Sequence, residues 1–189
     1  MPRPQIKWCL PDTHFNHPET IEWCGRPVDY QDRIIKACQR LIMPQDILIH
    51  MGDVIFDRAK ELAGIMDSLP GTKILVRGNH DRKSGSWYTR HGFHFVCDEF
   101  RIGTTLFTHK PVPIREGIEF NIHGHFHNTA HRTNEPEFNV FYGNRHILLA
   151  VELNDYKPYN LAKLLVVRKK QFEVKMGVIR CIKSGKLSG

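Results

Sequence analysis

Short apolar runs recur along the chain, and each is bounded by glycine, proline or a polar cluster. This pattern predicts six β-strands, at Ile6–Leu10, Ile47–His50, Lys73–Val76, Thr104–Thr108, Ile118–Ile122 and His146–Val151. Between the early strands, apolar residues recur near the 3.6-residue period of a helix. That period predicts helices at Val28–Met43, Arg58–Leu69, Ser84–His91 and Asn160–Val166. Asn128–Gly143 has no periodicity and is expected to be a surface loop.

Strand and helix alternate in the first half, whereas the second half is mostly strands. This order predicts a mixed α/β or α+β domain built in layers. A chain of 189 residues is long enough for one domain with a substantial core. We expect that domain to span residues 1–165, followed by a basic C-terminal segment, residues 166–189, that forms an appended strand or a tail.

The net charge of +7 is concentrated in that basic C-terminal segment, which holds seven basic residues against Glu173 alone. Such a segment can contact nucleic acid or an acidic partner, or it can be a solvated face. No apolar run approaches the roughly 18 residues that span a bilayer, so no membrane contact is expected. The N-terminus shows no secretory signal. The five cysteines have no C-x-x-C spacing, and reduced thiols in a cytoplasmic protein are expected.

Five polar clusters follow the predicted strands closely. They are Asp12-Thr13-His14, Gly52-Asp53, Gly78-Asn79-His80-Asp81, His109 and His123-Gly124-His125-Phe126-His127. In open α/β sheets, ligands gather beyond the carboxyl ends of the strands, so one rim would display all five clusters. Their carboxylate, imidazole and amide groups suit Mn²⁺, Fe²⁺, Zn²⁺ or Ni²⁺. Because a carboxylate can bridge two cations, the clusters indicate a two-metal site.

The five clusters match, in order, the pattern D-x-H, G-D, G-N-H-[DE], H and G-H-x-H. On these motifs the chain resembles the calcineurin-like metallophosphoesterases, and in particular the small uncharacterised bacterial and phage members. The resemblance covers about Ile6–Leu165. It implies a layered αββα sandwich with the dimetal site at the C-terminal ends of the strands. It also implies a metal-dependent hydrolase of phosphoesters, which we expect to be a phosphodiesterase.

The resemblance implies a ligand set for two divalent metal ions, Mn²⁺ being the first candidate and Fe, Zn or Ni the others. One ion would be held by Asp12, His14, Asp53 and His127, and the second by Asp53, Asn79, His109 and His125. Asp53 would bridge the two, and a metal-bridging hydroxide would be the nucleophile. His80 would act as general acid toward the leaving oxygen, Asp81 would orient His80, and Asn79 would help to neutralise the phosphate.

Substrate contacts are expected from His17, Arg82 and Lys110, and the substrate is expected to be a nucleotide-like phosphoester. Arg82, Lys83, Trp87 and Tyr88 could hold a phosphate and stack on a base, or they could form an ordinary amphipathic helix. A nuclease or RNA-end processing enzyme, with the basic C-terminal segment tracking phosphates, is the alternative function. A non-catalytic protein-interaction scaffold of the same fold is a third, which the presence of His80 disfavours. The sequence makes no prediction of the oligomeric state.

Overall fold

The computed structural model describes residues 3–56, 59–128 and 145–171. Nine strands lie in these ranges: β1 (Lys7–Leu10), β2 (Ile47–His50), β3 (Thr72–Val76), β4 (Phe95–Cys97), β5 (Glu99–Ile102), β6 (Thr105–Thr108), β7 (Phe120–His123), β8 (His146–Leu148) and β9 (Tyr159–Asn160). The helices are α1 (Glu19–Cys24), α2 (Tyr30–Leu41), α3 (Leu62–Ser68), α4 (Gly85–Thr89) and α5 over residues 161–171. Short 3₁₀ turns cover Ala59–Glu61 and Val151–Asn154.

The strands form two sheets. The first has the order β4-β3-β2-β1-β9, in which β1 to β4 are parallel and the short β9 is antiparallel to β1. The second has the order β5-β6-β7-β8, with β6, β7 and β8 parallel and β5 antiparallel. Because parallel strands point the same way, the ends of β1, β2 and β3 lie at one edge of the first sheet, and those of β6 and β7 at one edge of the second.

Alternate residues of the first sheet face two different cores. Leu10, Leu48 and Leu75 pack in one apolar cluster with α2, α3 and α4. Their neighbours Cys9, Ile49 and Val76 pack in a second cluster, against Phe107 and Phe120 and further residues of the second sheet. The period of two residues in a strand produces this division. The layers are therefore helices on a first sheet, with the second sheet on its opposite face.

The mixed α/β architecture with two sheets is as the sequence predicted. Helix α2 is shorter at both ends than the predicted Val28–Met43, and at its C-terminal end the chain becomes extended at Ile42, two residues before Pro44. The predicted strand His146–Val151 ends at Leu148, and a 3₁₀ turn follows. The sequence reasoning missed four short elements: α1, β4, β5 and β9. Three of them are strands of two to four residues, too short to show a clear period.

Helix α5 runs across the predicted boundary between residues 165 and 166, and Leu161 and Leu165 pack against the second core cluster. The predicted loop over Asn128–Gly143 lies outside the described residues apart from Asn128, as does the basic segment after residue 171. None of the helices in the described part of the chain has the length and hydropathy needed to cross a membrane.

Candidate metal centre

Three ligand-type side chains from distant parts of the chain meet beyond the end of β1. Asp12, His14 and His127 place one ligand atom each within 4.8 Å of the others. All three are at most 2% exposed. The carboxylate of Asp12 accepts hydrogen bonds from the backbone amide of His125, at 3.0 and 3.1 Å. The His125–His127 turn is thereby fixed against β1.

A second group meets beside the first, at the ends of β2, β6 and β7. Asp53, His109 and His125 also place one ligand atom each within 4.8 Å of the others. Asn79 joins them, since its Oδ1 lies 2.9 Å from His109 Nε2. The other ring nitrogen of His109 lies 2.8 Å from the carbonyl oxygen of Met51, which fixes the orientation of the ring.

Asp53 lies between the two groups. Its Oδ2 atom is 3.6 Å from His14 Nε2 in the first group and 3.3 Å from His109 Nε2 in the second. Its Oδ1 atom accepts the amide of His80 at 2.9 Å. The backbone of Asp53 is tied to the first group as well, because its carbonyl accepts the amide of His14 at 3.0 Å.

The backbone is in an unusual conformation at this site. Among the described residues, eight that are not glycine have positive φ, and five of them are ligand-type residues of the two groups: Asp12, His14, Asp53, His125 and His127. Left-handed backbone at residues with a Cβ costs on the order of 1 kcal/mol or more and concentrates at functional sites. The concentration here supports a function that depends on this geometry.

Two glycines allow the loops to approach this closely. A Cβ atom at Gly78 would overlap the carboxylate of Asp53, and one at Gly124 would overlap the carboxylate of Asp12. The glycines of the G-N-H and G-H-x-H motifs are therefore required by the space that the neighbouring carboxylates occupy.

The buried charges influence one another strongly. Burial alone would raise the pKa of Asp53, but His109 and His14 together with the His80 amide hold it well below its usual range. Burial would likewise lower the pKa of His109, but Asp53 and Asp12 raise it to about 9. Burial raises the pKa of Asp12 to about 6, against the opposing charges of His109 and His127. Burial keeps the pKa of His14 well below its usual value, and a neutral imidazole is the form that binds metal.

The donor set and its contacts fit divalent cations. His14 Nε2 and Asp53 Oδ2 are buried, and neither makes a hydrogen bond with any residue that the structure describes. Buried polar atoms without a hydrogen bond are rare, and these two atoms face each other between the two groups. A cation with oxygen and imidazole ligands would satisfy both. The residues present are therefore suited to the metal ions that the sequence analysis expected.

His80 lies at the edge of the two groups. Its ring is half-buried, with its centroid 5.8 Å from that of His14 and 5.5 Å from that of Phe56. This position allows it to face a phosphoester bound to the ligand groups.

Asp81, which was expected to orient His80, is 5% exposed and accepts several hydrogen bonds. The carboxylate of Asp81 accepts the amides of Asp53 and Gly78 at 2.8 Å, that of Val54 at 3.2 Å and the hydroxyl of Tyr88 at 3.4 Å. Asp81 thus holds the Asp53 loop against the Gly78 turn.

Sequence reasoning missed a buried carboxylate next to His127. Glu152 Oε1 lies 3.2 Å from His127 Nδ1 and 2.7 Å from an Arg26 nitrogen. Arg26, only 3% exposed, also donates to the carbonyl oxygens of Asp12 and Thr13 at 2.8 Å. Burial would raise the pKa of Glu152, but His127 and Arg26 lower it to about 2. No local motif marks either residue, since they lie 126 positions apart. Cys24, His127 and Glu152 form a third group with ligand atoms within 4.8 Å.

The three expected substrate contacts lie in different settings. His17 is buried beside the first group, with its Nδ1 2.9 Å from His14 Nδ1. Arg82 is exposed just after His80, and its amide donates to the His80 carbonyl. Lys110 is half-buried, and its carbonyl oxygen accepts the hydroxyl of Thr108.

Comparison with known proteins points to one family. A model of the family described as calcineurin-like phosphoesterase matches residues 8–150. An uncharacterized protein of Methanocaldococcus jannaschii, MJ1445, is 29% identical over 163 residues, which cover 82% of this chain and 86% of that protein.

Two solved structures are also similar. The Aquifex aeolicus protein of unknown function AQ665 superposes with a TM-score of 0.68 at 26% identity, covering 87% of this chain and all of that one. The Pseudomonas putida nuclease MPE overlaps less, with a TM-score of 0.46 at 20% identity over 64% of this chain and 61% of that one. The second overlap is too limited to bear on the function of this chain.

Proposed function

The chain belongs to the calcineurin-like phosphoesterase family, and on this premise we propose that it is a dinuclear metal-dependent phosphodiesterase. Family membership supports metal-dependent hydrolysis of phosphoesters in general. The position of Asp53 carries the finer proposal. Its Oδ2 atom lies within 3.6 Å of imidazole nitrogens from two separate ligand groups, so one carboxylate could be shared by two cations.

In this proposal, Asp12, His14, Asp53 and His127 hold the first cation. Asp53, Asn79, His109 and His125 hold the second. The mixed oxygen and imidazole set suits Mn²⁺ best, with Fe, Zn or Ni as alternatives. When bound, such a pair of cations lowers the pKa of water to near neutrality and neutralises negative charge on a phosphate. Arg26 and Glu152 keep the His127 ring in place, and Met51 does the same for His109.

The protein's own side chains supply positioning and proton transfer. The Asn79 side chain is exposed at the rim of the second group and can donate its amide to a phosphate oxygen. His80 can donate a proton to the leaving oxygen, because its half-buried ring lies beside both His14 and the open side of the site. Arg82 lies two residues after His80 in the chain and Lys110 directly follows His109, and we propose that both attract the substrate phosphate.

A diester preference is supported by the surroundings of His80. Phe56 and Trp23 border the pocket that His80 shares with the first ligand group, and both are about half exposed. A diester could place one of its two organic groups on this apolar border while the other departs, whereas a monoester has only the departing group.

A substrate and metal panel tests the proposal. Purified full-length protein would be assayed with bis(4-nitrophenyl) phosphate and 4-nitrophenyl phosphate in Mn²⁺, Ni²⁺, Zn²⁺ and Mg²⁺. We expect faster turnover of the diester and the highest rate in Mn²⁺. Asp53→Asn is expected to lose activity and both equivalents of bound metal, whereas the exposed control Asp32→Asn retains both. An Asp53→Asn protein with full metal content and unchanged turnover would refute the bridging assignment.

A further inference from the structure

A small pocket opens beside the first ligand group, with a volume of about 100 Å³. One side is formed by three histidines to which the proposed function assigns roles in metal binding and proton transfer: His14, His80 and His127. The other side includes His17, Trp23 and Phe56, of which only His17 was expected to contact substrate. The pocket therefore joins the reacting groups to an aromatic border.

The aromatic border is an ordered arrangement of rings. Phe56 stacks on His17 with centroids 3.8 Å apart and planes within 4° of parallel. Trp23 meets the same histidine edge to face, at 5.5 Å and 87°. His17 is itself only 4% exposed and is held against His14. Trp23 and Phe56 are therefore anchored on a buried ring that touches a proposed metal ligand.

Both border residues expose a large part of their surface. Trp23 and Phe56 are each 51% exposed, and within the described ranges Phe95 is the one other aromatic residue exposed to that degree. Since His17 covers one face of Phe56, the opposite face contributes to its exposed part. Single exposed apolar residues are common, but two aromatic rings that line one pocket together with proposed metal ligands form an apolar surface next to the chemistry.

We propose that Trp23 and Phe56 form a base-stacking subsite, which binds the nucleobase of a nucleotide phosphoester. This inference rests on the proposed function, which places the phosphate at the ligand groups. A pocket of about 100 Å³ is too small to enclose a nucleotide. The base would therefore lie across the exposed rings at the mouth, while the phosphate reaches the histidines. Stacking on aromatic rings tolerates every base, so we expect affinity for bases without strong sequence preference.

Binding of two ligands that differ only in the base tests this subsite. Isothermal titration calorimetry on the full-length Mn²⁺-loaded protein would compare AMP with ribose 5-phosphate. We expect AMP to bind about tenfold more tightly, the effect of one stacking contact. Trp23→Ala and Phe56→Ala are expected to reduce AMP affinity to that of ribose 5-phosphate, and to leave ribose 5-phosphate affinity unchanged.

Two further variants serve as controls. Phe95→Ala removes an equally exposed aromatic ring at the start of β4, on an edge of the first sheet, and is expected to keep the full AMP preference. Trp23→Leu keeps an apolar side chain but removes the flat ring, and is expected to lose the preference without loss of thermal stability. Equal binding of AMP and ribose 5-phosphate to the wild type would overturn the proposal. The same loss of preference in Phe95→Ala would overturn it too.

The same experiment, with an oligonucleotide added, distinguishes a nucleic acid end from a mononucleotide as the ligand. Together with a hydrolysis assay, it also separates failure of the subsite from failure of the proposed function. Tighter binding of a short oligonucleotide than of AMP would identify a nucleic acid end as the ligand, and equal binding a mononucleotide. Hydrolysis of bis(4-nitrophenyl) phosphate without a preference for AMP would refute the subsite and leave the proposed function intact. A preference for AMP that Trp23→Ala removes, with no hydrolysis of any ester, would support the subsite and refute the proposed function.

Discussion

Glu152 Oε1 lies 3.2 Å from His127 Nδ1, deep beside the proposed metal centre. Both side chains are at most 5% exposed. A carboxylate at Nδ1 fixes the orientation of the ring, and it increases the basicity of the imidazole.

We predict that Glu152→Gln weakens metal binding at the first position by about 10- to 100-fold, because loss of the carboxylate frees the orientation of His127. Metal titration by calorimetry would measure the change. Glu22→Gln, at an exposed position on α1, is the matched control and is expected to bind metal like the wild type. Unchanged affinity in Glu152→Gln would show that the His127 ring is held without it.

We predict that His80→Asn retains both equivalents of metal but lowers kcat by about 10²- to 10⁴-fold, the usual contribution of a positioned proton donor. Metal analysis and steady-state kinetics on bis(4-nitrophenyl) phosphate would separate the two effects. The exposed histidine variant His94→Asn should change neither quantity. Loss of metal from His80→Asn would assign the residue to the ligand set instead.

We predict that Asp81→Ala acts through the structure of the Asp53 loop and not through proton transfer. The variant leaves the buried amides of Asp53 and Gly78 without their acceptor, at a cost of about 2–4 kcal/mol in the free energy of unfolding. Chemical denaturation would measure the loss, and metal affinity should fall in parallel. If Asp81→Ala lowered kcat alone, with stability and metal content intact, Asp81 would instead act directly on His80.

We predict that stability depends on pH through Asp46, which lies outside the metal centre. Burial would raise its pKa, but the amides of Ile6 and Met43, with the indole of Trp8, lower the pKa to about 2. The unfolded value is about 4. Ionised Asp46 therefore contributes its full stabilisation of the folded state above pH ~4. This contribution is lost as the pH falls from about 4 to about 2.

Asp46→Asn is therefore expected to destabilise the protein at neutral pH by about 2 kcal/mol and to flatten the acid limb of the stability curve. Thermal or denaturant unfolding at a series of pH values would show both effects. Asp32→Asn, an exposed carboxylate of α2 paired with Lys36, should leave the curve as it is. If the stability of Asp46→Asn fell in acid as steeply as that of the wild type, the pH dependence would belong to other carboxylates.

Much of this fold was accessible from the sequence because its main signals are local. Short continuous apolar runs mark β2 and β3, and the residue that follows each strand is confined to one edge of the sheet. The ligand motifs lie directly after those strands. The glycines in these motifs, Gly78 and Gly124, indicate positions where the backbone lies close to a neighbouring carboxylate.

The sequence by itself determined the layered α/β class, the family resemblance and the side chains that gather at the strand ends, since strand period and turn chemistry act over a few residues. Only the tertiary structure decided that Glu152 and Arg26 support His127, and that Asp81 accepts the backbone amide of Asp53. It alone brought Trp23 and Phe56 to one pocket. These contacts join segments tens of residues apart or depend on which way a side chain turns, and both are decided by packing across the whole domain.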